Sequence, residues 1–108
     1  MDSRVRAVIE MLQARPEHQF TIAELARAVN LSPGRLAHLF VQEIQLSPLQ
    51  LSRRLRFERA RSLLESSFLS IKEIMHTVGI SDKSHFAKDF KRIYGVQPTK
   101  YRRDIHHA

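Results

Sequence analysis

The sequence predicts an all-α fold of about seven helices, with two helix-turn-helix subdomains joined by a long linker helix. Three observations lead to this prediction: apolar residues recur at helical spacing, no segment shows the alternation typical of strands, and one helix-turn-helix pattern occurs twice. The two copies read TIAELARAVNLSPGRLAHLF at residues 21–40 and SIKEIMHTVGISDKSHF at residues 70–86. A chain of 108 residues is long enough for one compact domain.

The first helix is predicted to begin after Asp2 or Ser3, either of which can cap a helix N-terminus. Pro16 prevents much continuation, because proline disrupts a helix interior. One face of this helix is apolar, which indicates an ordinary core contact. That face consists of Val5, Val8, Ile9 and Leu12.

Both copies of the repeat are predicted to start and to turn in the same way. Thr-x-x-Glu at residues 21–24 and Ser-x-x-Glu at residues 70–73 are capping-box patterns, which mark the start of a helix. After the first helix of each copy, Asn30 or Gly79 can adopt the left-handed conformation that ends a helix sharply.

The second helix of each copy is predicted to follow a new cap. Ser32 is the cap in the first copy, with Pro33 at the first helical position, and Ser81 or Asp82 is the cap in the second. Apolar positions correspond at an offset of 49 before the turn and 50 after it, which indicates one inserted residue in the second copy. The matching positions are Ile22, Leu25, Val29, Leu31, Leu36 and Phe40 against Ile71, Ile74, Val78, Ile80, Phe86 and Phe90.

The linker helix is predicted from Pro48 to about Ser66, with Ser47 as its cap, because no glycine or further proline interrupts this stretch. Its apolar residues spread over roughly 240° of a helical wheel, wider than one stripe, so we expect both subdomains to pack on it. A short last helix opens at Pro98, and residues 106–108 are expected to fray. We expect one domain, 1–108, made of lobes 1–46 and 67–108 and the linker 47–66.

The composition favours a polyanionic partner and argues against several other functions. Eighteen Lys and Arg against eleven Asp and Glu give a formal net charge of +7, so nucleic acid is considered before a membrane. The chain has no cysteine for disulfide or thiolate chemistry, and no apolar run approaches the roughly 20 residues that span a bilayer. Paired carboxylates, an activated nucleophile and a phosphate-binding glycine loop cannot be assembled. We therefore expect no enzyme, no cofactor and no metal site.

A helix-turn-helix can place its second helix in the major groove of double-stranded DNA, and two copies in one basic chain favour this function over mere packing units. Major-groove faces recur about every 34–36 Å, and a linker of about 19 residues spans about 28 Å, so tandem copies could read successive turns. The alternative is a helical protein-interaction module whose charge serves an acidic protein partner. A sequence preference on DNA would separate these two functions.

The chain also resembles the DNA-binding domain of the AraC/XylS family of bacterial transcription regulators, over essentially its whole length. The resemblance is strongest in IKEIMHTVGISDKSHFAKDFKRIYGVQPTKYRR, residues 71–103, and in RFERARSLL, residues 56–64. Two residues depart from the family pattern, because Asn30 replaces the usual glycine of the turn and Met75 replaces a small alanine.

The resemblance implies a sequence-specific DNA-binding domain of a transcription activator that presents a surface to RNA polymerase. Its expected location is the cytoplasm, in association with the nucleoid. Family members often carry a separate effector-binding and dimerising domain, and nothing in this sequence corresponds to one. We therefore expect a monomer, which is either the DNA-binding part of a longer regulator, whose separate domain would provide any dimerisation, or a small stand-alone regulator.

The outward faces of the second helices hold the predicted base readers. These are Arg35, Ala37, His38, Lys83, Ser84 and Lys88. Arginine can bond a guanine edge, histidine can contact a base edge or a phosphate, and alanine can touch a thymine methyl. The alternative for the arginine and the histidine is a phosphate contact or a solvated side chain. For the second helix, family geometry implies base contacts, although lysines on basic helices more often bind the DNA backbone.

The predicted phosphate contacts lie mainly at helix starts and on basic surfaces. They are Thr21, Ser32, Gln42, Ser70, Ser81, His85, Lys91, Lys100 and Arg102. Backbone amides at a helix start can donate to phosphate with support from the helix dipole, and simple capping is the alternative. Lys100 and Arg102, in the last helix, could support the second reading helix instead of binding phosphate.

The arginines of the linker helix are not all expected to bind DNA. Arg56 falls within the apolar arc of the wheel, so we expect it to make structural contacts with the lobes. Arg54 and Arg61 are expected to point outward near Glu58 and Glu65, the usual pattern of a solvated helix surface.

Overall fold

The computed structural model describes residues 1–106 and has seven α-helices and no strand in that range. The helices are α1 (Ser3–Ala14), α2 (Ile22–Ala28), α3 (Pro33–Ile44), α4 (Pro48–Ser66), α5 (Ile71–Val78), α6 (Lys83–Tyr94) and α7 (Pro98–His106). The predicted all-α class is confirmed. His106, expected to fray, is helical, and the remainder of the expected frayed end lies outside the described residues. None of these seven helices is long and apolar enough to cross a membrane.

The chain divides into two compact units, Met1–Leu55 and Arg56–Ala108. The boundary falls inside α4, so the linker helix is shared between the units instead of standing apart from them. Its Leu55 packs on the core of the first unit, whereas its Phe57 and Ala60 belong to the core of the second. The first unit contains the α2–α3 pair, and the second contains the α5–α6 pair.

The core of the first unit fixes the orientation of α3. Leu36 and Phe40, four residues apart on α3, are both fully buried. Burying a side chain of this size contributes about 1.5–3 kcal/mol, so this face of α3 has a strong preference for the interior. The core comprises Val5, Val8, Leu12, Leu25, Ala26, Leu36 and Phe40.

The core of the second unit is built around aromatic rings. The Phe86 ring centroid lies 5.6 Å from that of Phe57 and 6.0 Å from that of Phe90. The Phe90 ring in turn lies 4.7 Å from Tyr94 and 5.6 Å from Tyr101. Phe86 and Phe90 are fully buried, so α6 has the same inward stripe as α3, at four-residue spacing.

Capping boxes start α2 and α5, as the sequence predicts. The Thr21 hydroxyl accepts a hydrogen bond from the Glu24 backbone N–H at 3.1 Å, and the Glu24 carboxylate accepts one from the Thr21 N–H at 3.1 Å. Ser70 and Glu73 repeat both bonds, at 3.1 and 2.9 Å. These backbone hydrogen bonds, together with those from the cap hydroxyls, lower the pKa of both glutamates.

Each copy of the repeat ends its helices with left-handed residues, but the two copies use different residue types. Gly79 and Gly95 have φ of 76° and 85° in the second unit. In the first unit, Asn30 has φ of 58° and Gln45 has φ of 65°. Residues with a Cβ are strained in this region, asparagine less than most. Gln45 is therefore the most strained of these four left-handed residues.

We expect the substitution Gln45→Gly to stabilise the protein by about 0.5–1 kcal/mol, because relief of left-handed strain exceeds the extra entropy of glycine in the unfolded chain. Urea denaturation measures this difference. Gln45→Ala is the control and should give no such gain, because alanine keeps the Cβ. The reciprocal change Gly95→Gln should be destabilising through φ alone, since a Cβ there meets no atom within 4 Å. Equal stability of the glycine and alanine variants would contradict this account.

Arg61 lies near Glu65 as expected and its side chain is 44% exposed, but it also contacts an aromatic ring that the sequence did not indicate. Its guanidinium carbon lies 5.0 Å from the centroid of the Tyr94 ring, and its Nε is shielded from solvent. The Arg61 Nε also lies 3.9 Å from the Glu65 carboxylate, one helical turn along α4. Arg54 is exposed as expected, and Arg56 is partly buried, in keeping with a structural role.

Candidate nucleic-acid interface

The outward face of α3 carries the side chains predicted to read bases in the first unit. Because Leu36 and Phe40 point inward, the residues on the opposite arc of the helical wheel face away from the core. Arg35, His38 and Gln42 are exposed there, and Ala37 is half-buried. The side chain of Arg35 has no acidic partner within residues 1–106, so its guanidinium is available to a ligand.

The start of α3 leaves one hydroxyl donor available. Ser32 Oγ accepts from the Arg35 backbone N–H at 3.2 Å, and the Ser32 carbonyl accepts from the Leu36 N–H at 3.0 Å. Pro33, at the first helical position, has no N–H to satisfy. The predicted cap is therefore confirmed, and the hydroxyl proton of Ser32 remains free to donate to a phosphate oxygen.

The outward face of α6 is strongly basic. Lys83, Lys88 and Lys91 are exposed, and no acidic side chain of the described part of the chain pairs with them. Arg92 differs, because its guanidinium lies 3.1 Å from the carboxylate of Asp89. Three uncompensated lysines on one helix attract a polyanion, and Arg92 adds little to that charge.

The start of α6 is less suited to phosphate than the sequence suggests. Asp82, and not Ser81, is the cap, and its carboxylate accepts from the His85 backbone N–H at 2.9 Å. The His85 ring Nδ1 lies 3.7 Å from the same carboxylate. Because Ser32 caps α3 and Asp82 caps α6, the inserted residue of the second copy is Ser81. A carboxylate at this helix end repels phosphate, which weakens the predicted contacts at Ser81 and His85.

At α2 and α5, the predicted phosphate contacts must come from groups beyond the caps themselves. Thr21 is exposed, but its N–H and its hydroxyl are both hydrogen-bonded to the Glu24 carboxylate at 3.1 Å. Ser70 is exposed too, and its N–H and its hydroxyl are both hydrogen-bonded to the Glu73 carboxylate. The unbonded amides of the following helical turn are the remaining donors for phosphate. Capping is confirmed, and the phosphate contacts remain predictions.

Arg102 requires a correction, because its donors are engaged inside the second unit. Its Nε donates to the Leu64 carbonyl at 3.2 Å and its Nη1 to the Leu69 carbonyl at 2.6 Å. Its Nη2 lies 3.4 Å from both the Leu63 and Ser67 carbonyls. The guanidinium thus binds the end of α4 and the segment before α5. These bonds argue against the predicted phosphate contact, and Arg102 supports the end of α4 and the segment before α5, not the second reading helix.

The neighbours of Arg102 on α7 divide between surface and core. Lys100 is exposed and forms a 2.7 Å ion pair with Asp104, so its availability to phosphate depends on breaking that pair. Tyr101 packs against the core ring of Phe90. Burial, and the charge and hydrogen bond of Glu65, raise the pKa of its hydroxyl.

Two exposed α3 residues, Gly34 and Val41, were not among the predicted contacts although they share its outward side. A helical wheel predicts that they lie on this side. They were not predicted to contact DNA because neither has a polar side-chain group. Residues 1–106 contain no cluster of three or more His, Asp or Glu side chains placed to hold a metal ion.

Comparison with known proteins assigns the chain to a family. Residues 25–104 match the family described as "Helix-turn-helix domain", a range that includes most of both units. The chain belongs to this AraC-type helix-turn-helix family. The family prediction is therefore confirmed, and so is the prediction that the chain is not an enzyme.

The curated relatives are regulators much longer than this chain. It is 35% identical over 103 residues to the arabinose operon regulatory protein of Salmonella typhimurium and 34% identical to that of Escherichia coli. It is 31% identical to the transcriptional regulator MtrA of Neisseria gonorrhoeae. These matches cover 94–95% of this chain but only 34–37% of the relatives, so the chain spans about a third of their length.

Solved structures confirm the AraC-type fold. The C-terminal domain of the response regulator AraT from Geobacillus stearothermophilus matches with a TM-score of 0.87 and 33% identity, covering 95% of this chain and 86% of that one. The DNA-binding domain of AdpA, solved in complex with a target DNA, matches with a TM-score of 0.85 and 25% identity. That match covers 93% of this chain and 90% of the AdpA chain.

Proposed function

We propose that the chain is a sequence-specific double-stranded-DNA-binding domain of a bacterial transcription regulator, with α3 and α6 as its reading helices. One observation carries the proposal: each reading helix buries an apolar stripe and leaves an exposed face with cations that no acidic side chain among residues 1–106 neutralises. The similarity to the AdpA domain, which was solved on a target DNA, supports it.

On α3, we assign base reading to the exposed Arg35 and His38 and to the half-buried Ala37. An arginine held at the first turn of a reading helix can bond both acceptors of a guanine edge. Histidine can bond a base edge, and the methyl of alanine can touch a thymine methyl.

On α6, we assign base contacts to the exposed Lys83, Ser84 and Lys88, as the family geometry implies. Ammonium and hydroxyl groups can both donate to the O6 and N7 acceptors of guanine. Lys91 lies nearly one turn beyond Lys88, and we assign it to phosphate.

Phosphate contacts in the first unit are assigned to the free hydroxyl proton of Ser32 and to the exposed amide of Gln42. In the second unit, Lys100 joins Lys91 once its ion pair with Asp104 opens. These contacts fix the position of the domain on the duplex and carry no sequence information of their own.

The tandem arrangement gives a specific expectation about the operator. Helix α4 has 19 residues and therefore spans about 28 Å, comparable with the roughly 34–36 Å between major-groove segments on one side of DNA. We propose that the two reading helices enter successive major-groove segments, and that the operator need not be palindromic, because one chain supplies both helices.

The remaining parts of the proposal concern the regulator as a whole. The relatives regulate operons and transcription, which supports a role in transcription regulation. We propose, as the family resemblance implies, that the regulator is an activator that contacts RNA polymerase in the cytoplasm. We propose that residues 1–108 act as a monomer and that any dimerisation depends on a separate domain.

Selection from random duplexes tests the proposed function. We expect the wild-type chain to enrich one site that covers two adjacent helical turns, with single wrong bases costing about 1–3 kcal/mol each. Heparin and an unselected duplex of equal length are the controls for charge alone. Equal affinity for all duplexes would favour the basic protein-interaction module, because salt-dependent binding is common to both candidates.

A further inference from the structure

Gly34 is a glycine that the fold of the free domain does not require. It is the second residue of α3, it is exposed, and its φ is not in the left-handed region. A Cβ built on it would meet no atom within 4 Å. Gly79 and Gly95 differ, because their φ of 76° and 85° favour glycine. Neither backbone conformation nor packing explains glycine at position 34.

Glycine at this position is also unfavourable for the helix. It has a lower helix propensity than alanine and loses more backbone entropy on folding. The residues before it favour the start of a helix, since Ser32 provides the cap and Pro33 occupies the first turn. A weakening residue inside an otherwise favourable start points to a constraint from outside the chain.

We infer that Gly34 provides clearance for DNA: the missing side chain lets one base pair, with its flanking backbone, approach the first turn of α3 more closely than any other residue would allow. The inference rests on the proposed function. Glycine is the residue that permits close approach of a backbone to a ligand. It adjoins Arg35, so close approach here also determines how deeply that side chain enters the groove.

The internal repeat strengthens the inference. At the offset of 50 that relates α3 to α6, Gly34 corresponds to Ser84, which is also exposed but carries a side chain. The two reading helices therefore differ at the same position of the same motif. Gly34 is thus a specificity determinant through its lack of a side chain, whereas Ser84 can donate and accept hydrogen bonds.

The substitution Gly34→Ala tests this role, because it should change stability and binding in opposite directions. We expect the thermal midpoint to rise by about 1–3 °C through better helix propensity. Affinity for the selected duplex should fall by about tenfold or more, while affinity for an unselected duplex changes less than twofold. Gly34→Gln should lose more. Repeating the selection with each variant should alter preference at one or two adjacent base pairs only.

Gln13→Ala is the matched control. Gln13 is exposed on α1, outside the proposed interface, so alanine should improve helix propensity there without changing affinity. The clearance role would be overturned if the wild type prefers the selected duplex and Gly34→Ala binds it with unchanged affinity. The proposed function would then remain intact. A uniform loss on all duplexes would also overturn it. If the wild type itself shows no preference among duplexes, both proposals fail.

Discussion

Replacing Arg102 by methionine is expected to lower the free energy of unfolding by about 2–4 kcal/mol, the largest stability effect anticipated for any partly exposed residue of this chain. The substitution keeps a long apolar stem but removes the donors bound to four carbonyls, among them those of Leu64 and Leu69. The Leu63 carbonyl would keep its bonds from Ser67. The Leu64 carbonyl in the last turn of α4 and the Leu69 carbonyl would lose their charged donor. Thermal or urea denaturation measures the change.

The neighbouring substitution Arg103→Met is the matched control, since Arg103 is exposed on the same helix and the change in net charge is identical. It should alter stability by less than about 0.5 kcal/mol. The two variants also separate capping from phosphate binding. If Arg102→Met were as stable as the control and only flattened the salt dependence of DNA binding, the structural assignment of Arg102 would be wrong.

Sequence alone was sufficient for the bounds of the linker helix, because these depend on local chemistry. Ser47 and Pro48 mark the start of α4, and uninterrupted helix formers carry it to Ser66, as the structure has it. The repeat offset also implied one inserted residue. Only the cap geometry showed which one it is, because Ser81 and Asp82 are both good caps and the choice depends on which side chain reaches the amide of α6.

Partners that are distant in sequence could not be deduced from local patterns. Arg102 binds carbonyls 33–39 residues away, and a helical wheel of α7 carries no information about them. The same holds for Arg61. A helical wheel of α4 places this side chain on the outward side, and its contact with Tyr94 depends on where α6 packs. A wheel gives the direction of a side chain relative to its own helix; the neighbouring element decides whether that direction meets solvent.

The outward faces of the reading helices were predictable because they depend on residues within the same helix. Leu36 and Phe40 on α3, like Phe86 and Phe90 on α6, are large apolar side chains at four-residue spacing, and their burial determines the exposed face. What each exposed residue touches depends on the shape and sequence of a bound duplex. Exposure of Arg35 and Lys88 is therefore established, whereas their roles in reading DNA are testable proposals.

Arg35→Ala and Lys88→Ala are expected to damage different halves of the operator. If Arg35 bonds a guanine edge, its removal should cost about 1–3 kcal/mol on the selected site and relax base preference in the half read by α3. Lys88→Ala should relax preference in the half read by α6. Affinity measured on duplexes altered one base pair at a time, at fixed salt, resolves the two patterns. Arg6→Ala, an exposed charge change on α1, is the control.

The salt dependence of binding decides between base reading and backbone contact for each of the two residues. A lost base contact leaves the slope of log affinity against log salt almost unchanged, because a base contact neutralises no phosphate and so releases no condensed counterion. A lost phosphate contact weakens all duplexes about equally and reduces the slope by about one. Lys88 is the more informative case, since it lies on a face that already holds Lys83 and Lys91 with no acidic partner within residues 1–106. A uniform loss for Lys88→Ala beside a position-specific loss for Arg35→Ala would assign base reading to α3 and leave α6 to bind the DNA backbone.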